Sequence, residues 1–152
     1  MSAKFRVLFL CTGNSCRSQM AEAWTRHFKD STIEAYSAGV EVKKLDSNAV
    51  AVMAEAGVGM SAQRSKNVSE MMDIPYDYVI TVCSHARDTC PFFPGDVKRL
   101  HVEFDDPPFL TRDMPDGDAK LNVYRRVRDE IRAFVAGIPE NLSSQSQSFT
   151  QR

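Results

Sequence analysis

The sequence predicts a single α/β domain, with a mostly parallel, four-stranded twisted sheet at its centre and helices on both faces. Three observations predict it. Apolar runs of strand character alternate with segments of helical periodicity, an order that folds as right-handed βαβ units. The 152 residues suffice for one apolar core and fall short of two. Hydrophobic residues at 43% and charged residues at 26% are ordinary for a globular domain, which excludes a disordered or fibrous chain.

The first strand is FRVLFL at 5–10, bounded by the polar CTGNSCR. From about Ser18 to Lys29, Met20, Ala23, Trp24 and Phe28 recur at three-or-four spacing, which is one stripe of a helix. IEAYSAG at 33–39 is a second strand, and a helix runs from about Ser47 to Ala56. DYVITVC at 77–83 and VKRLHV at 97–102 supply two more strands. The last helix, Leu121 to Ala136, carries Val123 or Tyr124, Val127, Ile131, Phe134 and Val135 on its stripe. Beyond Pro139 the polar, uncharged SSQSQSFTQ reads as a frayed tail, so the domain is placed at 1–138 and a flexible tail at 139–152.

Charge and hydropathy narrow the function classes. Lys and Arg number 19 against 20 Asp and Glu, so there is no electrostatic case for nucleic acid or an anionic membrane. The longest apolar stretches, Val7 to Cys11 and Ala49 to Ala54, fall far short of the roughly twenty residues that span a bilayer. The N-terminal run lacks the length and cleavage site of a secretory signal. A cytoplasmic monomer is therefore expected, in a compartment where structural disulfides are rare and thiol chemistry is common. The four cysteines are Cys11, Cys16, Cys83 and Cys90. Their spacings contain no C-x2-C pair and only His85 lies near in ligand register, so neither zinc nor another metal is expected.

In α/β sheets chemistry gathers at the carboxyl ends of strands, and Cys11 follows the first strand directly. The segment Cys11-Thr12-Gly13-Asn14-Ser15-Cys16-Arg17-Ser18 links strand to helix, so its successive N–H groups can converge on an anion at the positive helix end. Gly13 and Asn14 are residue types that tolerate the left-handed backbone angles of such a curl. Arg17 nearby is expected to depress the Cys11 thiol, leaving a thiolate beside a bound oxyanion. A bare C-x5-R arises about 0.3 times by chance in a chain of this composition, so the strand, the helix and the Gly-Asn pair carry the assignment. A proton donor for a leaving oxygen can come from Asp105-Asp106-Pro107-Pro108, a proline-stiffened loop after the last strand.

FLCTGNSCRSQMAE, then YSAG, the C-x6-C segment and FDDP resemble the arsenate reductases built on the low-molecular-weight protein tyrosine phosphatase fold, over about residues 5–137. The resemblance implies a Cys11 nucleophile, with the amides of Thr12, Gly13, Asn14, Ser15, Cys16 and Arg17 and the Arg17 guanidinium binding arsenate or a phosphate-like oxyanion. It implies that the Ser18 hydroxyl supports the thiolate and that Asp106, rather than Asp105, is the general acid. Gln19 departs from the proline usual in the phosphatases. Family members that hold potassium do so through positions matching Asn14, Glu22, Ser37 and an aspartate, where Lys66 stands here; no potassium dependence is expected.

Arsenate reduction moves two electrons, so a second thiol must attack the Cys11–arsenic adduct at sulfur. Cys83 ends a strand at the edge where Cys11 lies, and Cys90 can then take the disulfide from Cys83. Both match the resolving and shuttling cysteines of the thioredoxin-linked branch, which implies no bound cofactor and electrons from thioredoxin or another small thiol reductant. If 83–90 is helical, its two ends lie about 10 Å apart, beyond the roughly 7 Å reach of a disulfide, and the segment must unwind. Cys16 is assigned packing, and His85 and His101 local bonding. One alternative is a phosphatase for tyrosyl or aryl phosphates using Cys11, Arg17 and Asp106 with Cys83 and Cys90 idle, although Pro108-Phe109 replaces the paired aromatics that grip a phenol ring. Another is a thiol redox sensor, which has no use for Asp106.

Overall fold

The structure is a computed structural model and describes residues 4–142. Its elements follow the expected alternation: β1 (Phe5–Cys11), α1 (Arg17–Lys29), β2 (Ile33–Gly39), α2 (Ser47–Glu55), β3 (Tyr78–Thr81), α3 (Ser84–Thr89), β4 (Lys98–His101), α4 (Pro107–Leu110) and α5 (Asp118–Ala136). The four strands form one sheet in the order β2-β1-β3-β4, and every pairing is parallel. The chain winds outward from β1 to β2 and then crosses back to β3. The order therefore reverses on either side of β1, and the loops leaving β1 and β3 part there to open a crevice at the carboxyl edge.

Val7, Leu8, Phe9 and Leu10 are fully buried, the mark of a central parallel strand covered on both faces. Tyr124, Val127, Ile131 and Val135 form the buried stripe of α5, which packs against α1 and α2. Tyr124 donates its hydroxyl proton to Asp46, the residue that caps α2 through the N–H groups of Asn48 and Ala49. On α1, Phe28 departs from the expected stripe: it is partly exposed and lies flat on the buried Trp24, ring centroids 5.2 Å apart.

The departures have local causes. Helix α5 starts at Asp118, three residues before the apolar stripe, because Gly117 at φ 148° breaks the chain and the Asp118 carboxylate suits a helix N-terminus. Pro107 and Pro108 open α4 rather than lying in an extended loop, since proline at the first helical positions surrenders no hydrogen bond. The tail was placed from residue 139, but Ile138 and Leu142 are both fully buried, so the packed body continues at least to Leu142; the rest of the expected tail, 143–152, lies outside the described residues. Among the described residues no helix is long and apolar enough to cross a membrane.

Candidate active site

Cys11 is the last residue of β1 and pairs with Gly39, the last of β2. The chain then curls through residues 12–16 into α1, and the curl turns every carbonyl outward. The carbonyl of Cys11 accepts from Val40 N–H, Thr12 from Glu41, Gly13 from Lys43 and Ser15 from Asp46. The carbonyl of Asn14 accepts from the Gln19 amide and the Ser65 hydroxyl. In a trans peptide the N–H points opposite the preceding carbonyl, so the N–H groups of residues 12 to 16 face inward. The unpaired amides of the first turn of α1 join them. The result is an anion cradle made by backbone alone.

Two backbone positions make the curl possible. Asn14 has φ 52°, in the left-handed region, as expected; Gly13 does not need that region. A Cβ on Gly13 would instead press on the Lys43 side chain at 3.2 Å. Gly39 carries the tighter constraint, because a Cβ there would stand 2.7 Å from the Thr12 carbonyl oxygen and 2.8 Å from Asn14 N. Only glycine lets β2 approach the loop this closely.

The fully buried Asn14 side chain holds the loop from beneath. Its Nδ2 donates to Ser18 Oγ at 2.9 Å, and its Oδ1 accepts from Lys66 N–H at 2.9 Å and Gln19 Nε2 at 3.0 Å. Gln19 in turn receives Gln63 Nε2 at 2.6 Å. A proline at 19 could make none of these bonds. The Ser18 hydroxyl contacts Asn14 and no sulfur, so it supports the loop rather than the Cys11 thiol directly.

The inward face bounds a cavity of about 80 Å³ whose lining includes Cys11, Cys16, Arg17, Asp106, Pro108 and Lys43. That is room for one tetrahedral oxyanion and far less than a pocket for an organic ligand. Arg17 is 7% exposed; it donates to the Phe104 carbonyl at 3.0 Å and faces Asp106 Oδ2 at 3.4 Å. Asp106 precedes α4 without capping it, so its carboxyl stays available to the cavity. Asp105 is exposed to solvent and pairs with Arg126 at 3.1 Å. Lys43, which sequence reasoning missed, brings a second cation to the mouth of the cavity. The adjacent pair Lys43-Lys44 just past β2 was the available signal.

Cys83 lies two residues past β3, the strand beside β1, and the Thr12 hydroxyl sits 3.2 Å from its sulfur. Cys11 and Cys83 titrate together, so a single thiolate charge belongs to the pair rather than to Cys11 alone. A hydrogen bond between the two thiols, followed by burial, pushes Cys11 well above the usual range. Cys83 is brought down to about 5, first by that bond from Cys11, then, against the cost of burial, by the Thr12 hydroxyl and the Ala86 N–H. Two adjacent buried sulfurs do not both ionise, so the pair carries one charge, drawn toward Cys83 by its donors. Burial, and secondarily Asp46, pushes Cys16 up as well, consistent with packing.

Cys83 caps the N-terminus of α3 and Cys90 its C-terminus, so the conditional helix between them is present. All four cysteines are reduced. Ser84, in the first turn of α3, donates to Glu103, which also bonds His101; His85 pairs with Glu41. Behind the cradle, the buried Glu22 meets Arg26 at 2.7 Å and Lys66 at 3.8 Å and accepts from Ser37. Of the positions implied for potassium, Glu22 faces the Lys66 ammonium, which donates to the Arg64 carbonyl at 2.8 Å, while Asn14 accepts from the Lys66 backbone N–H. No group of His, Cys, Asp and Glu suited to a metal occurs among the described residues.

Comparison with known proteins agrees with this geometry. The family model for low molecular weight phosphotyrosine protein phosphatase matches residues 6–148. An arsenate reductase of Halalkalibacterium halodurans is 43% identical over 125 residues, which cover 82% of this chain and 88% of that one. The solved structure of an arsenate reductase in its phosphate-binding state superposes with a TM-score of 0.65 at 29% identity, covering 88% and 95% of the two chains. A thioredoxin-dependent arsenate reductase of Corynebacterium glutamicum superposes at 0.62 with 27% identity, covering 90% of this chain and 63% of that one.

Proposed function

Since the chain belongs to the low molecular weight phosphotyrosine protein phosphatase family, we propose that it reduces arsenate to arsenite through a relay of Cys11, Cys83 and Cys90, regenerated by thioredoxin. The observation that carries this reading is a second thiol beside the cradle: Cys83, whose sulfur lies 3.2 Å from the hydroxyl of Thr12, the residue that follows Cys11. A phosphatase needs one sulfur there, whereas a reductase needs a second nucleophile aimed at the first.

The cradle amides, Arg17 and Lys43 bind the dianion against Cys11. Passage of one proton along the Cys11–Cys83 hydrogen bond gives the Cys11 thiolate, which bonds to arsenic. Asp106 delivers a proton to the departing hydroxide, which leaves as water. Cys83 gives its proton to an oxygen of the arsenic adduct and, as the thiolate, attacks Cys11 Sγ. The sulfur–arsenic electron pair stays with arsenic, so As(V) becomes As(III) while two thiols become the Cys11–Cys83 disulfide. Cys90 then attacks Cys83 Sγ as α3 unwinds, freeing Cys11 and leaving Cys83–Cys90 for the reductant. Ser18, through Asn14, keeps the loop curled throughout. The reaction needs no bound cofactor.

The test is arsenate-dependent NADPH consumption with thioredoxin and thioredoxin reductase. Wild type should turn over, and Cys90→Ser should stop after one event with Cys11–Cys83 trapped and visible by mass spectrometry. Hydrolysis of an aryl phosphate without arsenate-dependent turnover would make the protein a phosphatase, with Cys83 and Cys90 idle.

A further inference from the structure

We infer that Phe92, backed by Arg99, is the anchor on which a protein reductant docks to reach the Cys83–Cys90 disulfide. The inference rests on the proposed relay and names the kind of partner that completes it, a dithiol protein rather than a small thiol. Phe92 is 74% exposed, the most exposed large apolar side chain among the described residues, and stands two positions beyond Cys90. Its exposure is built in by its neighbours. Phe93 is 2% exposed and fixed edge-on to Tyr76 at 5.8 Å, so the backbone is pinned and Phe92 is held outward. The Arg99 guanidinium, from the edge strand β4, lies 5.3 Å from the centre of the Phe92 ring and steadies it.

The chemistry demands contact at this place. Exchange requires an incoming thiolate in line with the Cys83–Cys90 bond, which brings the atoms around that thiolate against the residues flanking Cys90. The partner's two thiols become its disulfide while Cys83–Cys90 becomes two thiols, so two electrons and two protons pass to this chain. The residues that must unwind, Ser84–Thr89, lie on the other side of Cys90. The Phe92 platform is thus rooted in the core and keeps its place while α3 changes. Phenylalanine and arginine are both enriched at protein interfaces relative to the rest of the surface. It suits a partner whose exposed cysteine is ringed by apolar surface with a carboxylate for Arg99. Glutathione offers no surface to cover the ring.

Steady-state arsenate reduction by the full chain separates the cases, with thioredoxin, thioredoxin reductase and NADPH in one arm and dithiothreitol in the other. Phe92→Ser should raise KM for thioredoxin about tenfold, which is about 1.4 kcal/mol. KM for arsenate and the dithiothreitol-driven rate should stay at wild-type values. Arg99→Gln should raise KM for thioredoxin less. An unchanged KM for thioredoxin in Phe92→Ser overturns the docking site, as does an equal loss with both reductants. Wild type that turns over with dithiothreitol but not thioredoxin overturns the thioredoxin coupling itself, and no turnover with either overturns the relay.

Discussion

Replacing Gly39 by alanine tests the claim that the cradle is shaped by how closely β2 approaches it. The new Cβ would lie 2.7 Å from the Thr12 carbonyl oxygen, 2.8 Å from Asn14 N and 2.9 Å from the Gly13 carbonyl carbon. All three atoms are backbone, so no side chain can swing aside, and comfortable carbon contacts need roughly 3.5–4.0 Å. Relief requires the loop to retreat from β2, which strains the Val40–Cys11 and Glu41–Thr12 backbone bonds. Overpacking costs about 1–3 kcal/mol, and three backbone contacts place Gly39→Ala at roughly 2–3 kcal/mol. For a chain of this size that lowers Tm by roughly 4–12 °C. Thermal unfolding with and without phosphate is the assay. A ligand at 100 times its Kd stabilises by about 2.7 kcal/mol, and that increment should shrink in the variant because the N–H groups no longer converge. Gly59→Ala is the control: a Cβ there meets nothing within 4 Å, so its stability should stay within about 0.5 kcal/mol of wild type. Gly39→Ala melting with wild type, or melting early with the full phosphate increment, would refute the reasoning.

Three further outcomes follow from the site. Ultraviolet titration of the substrate-free protein should show one thiolate that is protonated as pH falls through about 5, absent in Cys83→Ser and retained in Cys90→Ser. Cys11→Ala should lower that thiolate's stability and raise its midpoint, since it removes the strongest donor; survival of the signal in Cys83→Ser would place the charge elsewhere. Turnover and Tm of wild type should be the same in potassium and sodium, because Lys66 already faces Glu22. Lys66→Met should cost about 1–2 kcal/mol, less than stripping a buried carboxylate bare, because Arg26 remains paired with it. Glu103→Ala frees Ser84 and should speed transfer of the disulfide from Cys11–Cys83 to Cys83–Cys90 by about two- to fivefold, the worth of one net hydrogen bond. An unchanged transfer rate would mean that this bond does not restrain α3.

The fold was legible because its signals are local and periodic. The β1 run and the α5 stripe each state their structure in consecutive residues, and strand–helix alternation then dictates parallel pairing. The loop was legible for the same reason, since CTGNSCRS carries nucleophile, curl and cation in one segment. Contacts made across the chain could not be read. Lys43 reaches the cavity only because its N–H bonds Gly13, and the need for glycine at 39 arises from a loop 25 or more residues away in the chain. The influence of Cys83 on the Cys11 thiolate was hidden for the same reason. From sequence Arg17 is the near neighbour of Cys11, whereas in the fold Cys83 also comes beside it and shares the charge that Arg17 favours. The six-residue helix α3 is too short for periodicity to declare; its caps, Cys83 and Cys90, become informative only once placed.

The pairing of Cys11 with Cys83 also explains how one cradle can serve two elements differently. A phosphate bound to Cys11 forms a sulfur–phosphorus bond, and attack by Cys83 on that sulfur would have to expel phosphorus with the bonding electron pair, as P(III). Phosphorus resists that reduction, so the adduct waits for water, which must enter a cavity sized for one oxyanion. Arsenic accepts the same electron pair readily, and in the proposed relay the attacking sulfur comes from Cys83, which sits against Thr12 of the same loop. In the proposed relay the second thiol therefore discriminates by redox chemistry where the amides, Arg17 and Lys43 would not, since they would see the same charge and nearly the same tetrahedron. Phosphate should accordingly compete with arsenate for the cradle while leaving Cys83 and Cys90 reduced. Phosphate-dependent formation of Cys11–Cys83 under anaerobic conditions would contradict this account.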